Sequence, residues 1–319
     1  MGEATEMFLF TGQGAQYVGM GAELADERPD IQAMMDRADE VLGTPLGQIM
    51  RHGPEETLRL TENTQPAILT LAMAHHRISA ELGLSPSVLM GHSLGEYAAW
   101  VAAGSIAFED ALKLVRLRGQ AMQEAVPVGV GAMVAVISTP SDELEALCAK
   151  VAKARGEVVS VSVYNCPGNT VISGHAGAVE AVRKEVEEGG LGSTIELSVS
   201  APFHCALLEP AAKRLQEAMA SVAFEPNKLP VVPNVTAEVV APGCDPDQIR
   251  AWLVEQVVAP VRWDASLRAG LEMGVSRAVS LGPGKMLRGH MKRVSRRFPM
   301  VILDLDKDRR ALRQEASDG

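Results

Sequence analysis

The segment Met90-Gly91-His92-Ser93-Leu94-Gly95-Glu96-Tyr97 constrains this chain more than any other, because it sets a Gly-x-Ser-x-Gly pattern between an apolar run and a helix-forming run. Val88 to Met90 reads as the end of a buried strand and Glu96 to Ala103 as a helix, so Ser93 falls on the strand-to-helix turn. That arrangement is a nucleophile elbow. Without Cβ atoms at Gly91 and Gly95, strand and helix can close on each other while Ser93 takes a strained backbone that pushes its hydroxyl outward. The helix starts beneath the serine, so the amide of Leu94 points at an oxygen that turns negative during attack. A serine hydroxyl is a poor nucleophile at neutral pH until a base takes its proton, and imidazole has the fitting pKa.

The surrounding pattern fits such an elbow. Short apolar runs at Met7 to Phe10 and Val88 to Met90 alternate with helical stretches, through Leu82 and again from Glu96 to Glu124. Alternation of this kind predicts a parallel sheet covered by helices, an α/β fold. The texture changes after Pro127. Ala132 to Ile137 reads as a strand, Ser141 to Lys153 as a helix, Val158 to Tyr164 and Val171 to Ser173 as strands, Ala176 to Glu188 as a helix, and Ser193 to Leu197 as a last strand. The order β-α-β-β-α-β is that of a ferredoxin-like unit. A small domain over residues 128–198 is therefore expected inside a large one made of 1–127 and 199–319.

The chain re-enters the large domain through Ser200-Ala201-Pro202-Phe203-His204-Cys205, which puts His204 on the wall of an interdomain cleft. It is the leading candidate for the base. His52, His75, His76, His175 and His290 read as solvated or structural; His75 and His76 lie mid-helix and His175 in a polar loop. Four cysteines, Cys148, Cys166, Cys205 and Cys244, have no paired spacing, which argues against a disulfide framework and a zinc site and for a reducing cytoplasm. The polar first residues carry no secretory pattern, and no apolar run reaches the ~20 residues of a membrane span. A net charge of −10 disfavours nucleic acid as a partner.

Six blocks carry a family resemblance: Phe10-Thr11-Gly12-Gln13-Gly14-Ala15-Gln16, Thr64-Gln65-Pro66-Ala67, Gly91 to Tyr97, Arg116-Leu117-Arg118-Gly119, Pro202-Phe203-His204-Cys205, and Gln256 before Pro260-Val261-Arg262-Trp263. In this order they closely resemble the malonyl-CoA:acyl carrier protein transacylases, over nearly the whole chain. The resemblance implies an α/β-hydrolase-like large domain with a ferredoxin-like insertion, no cofactor and no metal. It also implies a monomer that moves malonyl from malonyl-CoA to the phosphopantetheine thiol of acyl carrier protein for fatty acid synthesis. A free-standing malonyl acyltransferase of a polyketide synthase and an acyl hydrolase of the same fold are the alternatives. By position, Ser93 would hold malonate as an ester and His204 would act as base and then acid. The backbone carbonyl of Gln256 would orient His204, and the amides of Gln13 and Leu94 would form the oxyanion hole. Thr11 stands where many members have proline, a departure that flanks the loop.

Arg118 decides the substrate class. Malonate bound as an ester keeps a free carboxylate, and burying that charge is prohibitive without a partner. A guanidinium meets it bidentately and stays charged at any working pH. In the run Lys113 to Arg118 the bland reading is a solvated arginine face; the matching motif makes Arg118 the carboxylate partner. Phe203 is bulky enough to crowd a 2-methyl branch and supports malonyl over methylmalonyl. Gly282-Pro283-Gly284-Lys285 lacks the spacing of a phosphate loop and reads as a turn opening the next helix. That helix is expected to present Arg288, Lys292 and Arg296 at i, i+4, i+8, either as a solvated face or as a dock for an acidic carrier protein.

Overall fold

The computed structural model describes residues 5–197 and 201–318. Five strands form a parallel sheet: β1 (Glu6–Phe10), β2 (Pro86–Gly91), β7 (Val231–Val232), β8 (Arg277–Leu281) and β9 (Met300–Ile302), in the order β7-β2-β1-β8-β9. Every residue of β1 is buried, as expected of a central parallel strand covered by helices on both faces. The helix Thr61–Ser79, buried at most of its positions, supplies one of these covers.

A second, antiparallel sheet is built from β3 (Gly131–Ile137), β4 (Val159–Cys166), β5 (Asn169–His175) and β6 (Ser193–Glu196), in the order β4-β5-β3-β6. With the helices Ser141–Arg155 and Ala176–Glu188 between its strands, this is the ferredoxin-like topology read from the sequence. Alternation along β3 divides its two faces. Val134 and Val136 pack with Leu144, Cys148, Val179 and Val182 into a core under the sheet's own helices, whereas Met133 and Ala135 join the large core. The small sheet thus turns one face to its helices and the other toward the parallel sheet. Backbone bonds tie the two together, Tyr164 N to Val261 O at 2.9 Å and Val261 N to Ser162 O at 2.9 Å.

The expected junction at 198–199, and Ser200 of the return segment, lie outside the described residues. His175 is placed differently from its reading as a loop residue: it ends β5, and its Nδ1 accepts from Val158 N at 2.9 Å. The four cysteines are free. Among the described residues no helix is long and apolar enough to cross a membrane.

Candidate active site

The elbow forms because two glycines let backbones touch. A Cβ on Gly91 would lie 1.9 Å from Gly95 C, and one on Gly95 would lie 2.2 Å from Phe10 O, so neither position accepts a larger residue. Between them Ser93 has a φ of 52°, unusual for a non-glycine residue, and lies just ahead of the helix Gly95–Ala102. Its strained backbone is held at both ends. Ser93 N donates to Asn234 Oδ1 at 2.8 Å, and Ser93 O accepts from Gln256 Nε2 at 3.0 Å.

His204 has a φ of 58° and is 3% exposed. Its Nε2 lies 2.7 Å from Ser93 Oγ and its Nδ1 2.7 Å from the carbonyl of Gln256. A carbonyl can only accept, so Nδ1 carries the proton and Nε2 is left to accept from the serine hydroxyl. Burial first, then the Arg118 cation, push the His204 pKa down to about 3 against the pull of the Gln256 carbonyl. The ring is therefore neutral at neutral pH.

Arg118 is 2% exposed and projects from the helix Phe108–Ala125, which excludes the solvated face that its sequence context allowed. Its Nη2 donates to Ser93 Oγ at 3.2 Å and to Gln256 Oε1 at 2.9 Å, and its guanidinium lies 5.8 Å from the Tyr97 ring centroid. Its Nε, also buried, has no hydrogen-bond partner. A buried cation bonded only to neutral acceptors beside a nucleophile is poised for an anionic group that arrives with the substrate.

The amides of Gln13 and Leu94 donate to no backbone or side-chain acceptor among the described residues, so both are free for an incoming oxygen. Gln13, Ser93, Phe203 and His204 line a cavity of about 580 Å³, closed on the other side by Met133 and Val163 of the small sheet. Phe203 is held in place by Ser173 Oγ, which donates to its carbonyl at 2.7 Å. Six of the residues singled out in the sequence, Ser93, His204, Arg118, Gln256, Phe203 and Gln13, thus meet at one place.

The basic helix needs correction. It spans Met286–Val294, opening after the Gly282–Lys285 turn as expected, but ends before Arg296 because Ser295 turns extended and the chain runs into β9. Arg288, Lys292 and Arg296 therefore do not share a helix face. Arg288 is drawn inward, with Nη2 2.9 Å from Asp308 Oδ2 and 3.3 Å from Met300 O, whereas Lys292 and Arg296 are exposed.

Four site residues had no role in the sequence reading. Glu96, fully buried, accepts from Asn234 N at 3.0 Å, Gln256 Nε2 at 2.6 Å and Trp100 Nε1 at 3.2 Å. Asn234 also donates from Nδ2 to Gly91 O at 2.7 Å. His92 lines the cavity with its Nε2 2.9 Å from Asn165 Oδ1. His290, read as solvated or structural, is 8% exposed, lines the same cavity and lies 5.8 Å from the His92 ring. Only Glu96 offered a signal, an acid inside an otherwise apolar helix; the others look ordinary until the fold joins them.

Comparison with known proteins places this geometry in a family. The acyl transferase domain family is matched over residues 7–298. The malonyl CoA-acyl carrier protein transacylase of Bacillus subtilis is 42% identical over 296 residues, covering 93% of this chain and 92% of the relative. Among solved structures, the malonyl CoA-acyl carrier protein transacylase from Coxiella burnetii superposes with a TM-score of 0.93 at 39% identity, covering 98% of each chain. A malonyl-transacylase in complex with its type II PKS acyl-carrier protein gives a TM-score of 0.92 at 37% identity, covering 98% of this chain and 99% of that one. An acyl transferase domain over nearly its whole length, with an elbow serine paired to a histidine, this chain belongs to the malonyl CoA-acyl carrier protein transacylase family.

Proposed function

We propose that the protein transfers malonyl from malonyl-CoA to the phosphopantetheine thiol of an acyl carrier protein, supplying fatty acid synthesis in the cytoplasm, through a malonyl ester on Ser93. The observation that carries this reading is the buried Arg118 guanidinium 3.2 Å from the Ser93 hydroxyl, a fixed cation where the far carboxylate of a short diacid would lie. An acyl hydrolase for uncharged chains gains nothing from it.

In the first half-reaction His204 Nε2 takes the hydroxyl proton as Ser93 Oγ attacks the thioester carbonyl. The oxyanion is met by the amides of Gln13 and Leu94, where a donor is worth about 3 kcal/mol. Collapse breaks the C–S bond, and the leaving thiolate takes the proton back from His204. In the second half the carrier thiol gives its proton to His204 and attacks the ester, and Ser93 Oγ leaves with that proton. The Gln256 carbonyl keeps the His204 tautomer productive in both halves, the part a carboxylate plays in a Ser-His-Asp triad. Phe203 crowds a 2-methyl branch.

The small unit would be residues 128–198, set against the large one at the cleft. The exposed Lys292 and Arg296 would receive the acidic carrier; Arg288, engaged with Asp308, is left out of that surface. Intact-mass analysis after incubation with malonyl-CoA tests the reading. The parent should gain one malonyl group and lose it to holo carrier protein, and Ser93→Ala should gain none. A malonyl adduct on Ser93→Ala would overturn the nucleophile assignment.

A further inference from the structure

The buried carboxylate of Glu96 takes no part in the steps above, yet it touches both residues that hold the elbow. It accepts from the backbone of Asn234, whose side chain in turn binds Ser93 N and Gly91 O, and from the side-chain amide of Gln256. An ionised carboxylate can only accept, so the Gln256 amide must turn its nitrogen to Glu96, which leaves Oε1 facing Arg118. The result is a guanidinium, a neutral amide and a carboxylate in a row, and Glu96 is the anion joined to Arg118 through that amide.

We propose that Glu96 is a positioning residue that fixes the Gln256 amide and serves Arg118 as an amide-bridged counter-ion, opposing the substrate carboxylate while favouring the imidazolium that forms on His204. The inference rests on the reading of Arg118 as the malonate partner. With the site empty, Arg118 and Glu96 balance. When the substrate carboxylate reaches Arg118 the buried charges sum to one negative, which stabilises positive charge on His204 as Ser93 attacks. The three donors aimed at Glu96 favour its ionised form, against the burial that lifts its pKa to about 7.

The test is a split between binding and turnover. In Glu96→Gln one anion facing malonate is gone, so KM for malonyl-CoA should fall about 2- to 10-fold while the single-turnover rate of Ser93 acylation falls about 10- to 100-fold. With acetyl-CoA, which brings no carboxylate, the rate should fall without a drop in KM. Because the new amide leaves Trp100 Nε1 facing a donor, the double variant Glu96→Gln/Trp100→Phe is measured beside it. A rise in KM together with a slower rate, an unchanged rate, or a double variant recovered only unfolded would overturn the proposal and leave Glu96 a structural residue. Parent protein that takes no malonyl onto Ser93 would instead refute the underlying reading.

Discussion

Removing the Arg118 cation should separate substrate choice from chemistry. The guanidinium is bonded to a hydroxyl and an amide oxygen and reaches its nearest anion, Glu96, only through Gln256, so a malonate carboxylate would be its first direct ionic partner. Breaking a buried pair by deleting one member costs about 3 to 5 kcal/mol, which corresponds to roughly 150- to 5000-fold in kcat/KM. The effect on the fold should have the opposite sign. Burial lowers the Arg118 pKa, the mark of a cation held at a desolvation cost; that cost disappears with the charge, and Glu96, whose pKa burial already lifts to about 7, can take a proton so that no buried charge is left uncompensated. Arg118→Ala also leaves a void, whereas Arg118→Met keeps most of the stem volume. We therefore expect Arg118→Met to lose malonyl transfer by roughly 150- to 5000-fold, to accept acetyl-CoA as well as or better than the parent, and to melt no lower. The assay is kcat/KM for both thioesters together with a thermal melt. Parallel losses for malonyl and acetyl, with a lower Tm, would refute the reasoning and make Arg118 a support of the fold.

Acid should unfold the protein early. Burial holds His75, His204 and His290 near a pKa of about 3, below the 6.5 of the unfolded chain, so their contribution is whole above pH 6.5 and is lost as pH falls toward 3, by about 1.4 kcal/mol per pH unit each. Glu96, lifted to about 7, offsets one such share between pH 7 and 4.5, so the histidines outweigh it and stability falls as the pH drops through that range; a Tm that stays flat down to pH 4.5 would contradict this. Reversing charge at Lys292 and Arg296 should raise KM for carrier protein, weaken its salt dependence and leave self-acylation by malonyl-CoA unchanged. Arg288→Glu, by breaking the contact with Asp308, should lower Tm, and equal loss of both half-reactions in the Lys292 and Arg296 variant would remove them as a dock.

What the residues themselves declared was whatever had a local cause, whereas Arg118, Gln256 and Gln13 took their roles from the family resemblance. The elbow was legible because Gly91 is demanded by its contact with Gly95, four residues on, although Gly95 itself answers to Phe10 far along the chain, and the small sheet because the apolar run Ala132–Ile137 and the helices that follow it each declare themselves locally. Arg296 shows the reverse. The charge period of Arg288, Lys292 and Arg296 continues past Val294, but the helix ends there because the chain turns to pair Met300 with β8. Strand β8, between β1 and β9 in the large sheet, is a five-residue run that its length alone does not mark as a strand. Asn234, Glu96 and the Gln256 side chain could not be read, because their partners lie far along the chain: Gln256 binds Ser93 across 163 positions and Glu96 across 160.

That long-range origin explains how the reacting pair tolerates its own strain. Ser93 and His204, at φ of 52° and 58°, each sit in a left-handed backbone that costs a non-glycine residue on the order of 1 to 3 kcal/mol. Such conformations persist only where the surroundings over-determine them. Here Ser93 is fixed through its amide by Asn234 and through its carbonyl by Gln256, while the backbone carbonyl of Gln256 fixes the imidazole. One residue therefore bonds to both members of the pair, and Glu96 bonds to that residue. The hydrophobic cores of the two sheets use none of these groups. Loosening the polar ring should therefore lengthen the 2.7 Å Ser93–His204 bond before it loosens the fold, so damage here should appear in the acylation rate well before it appears in a melting curve.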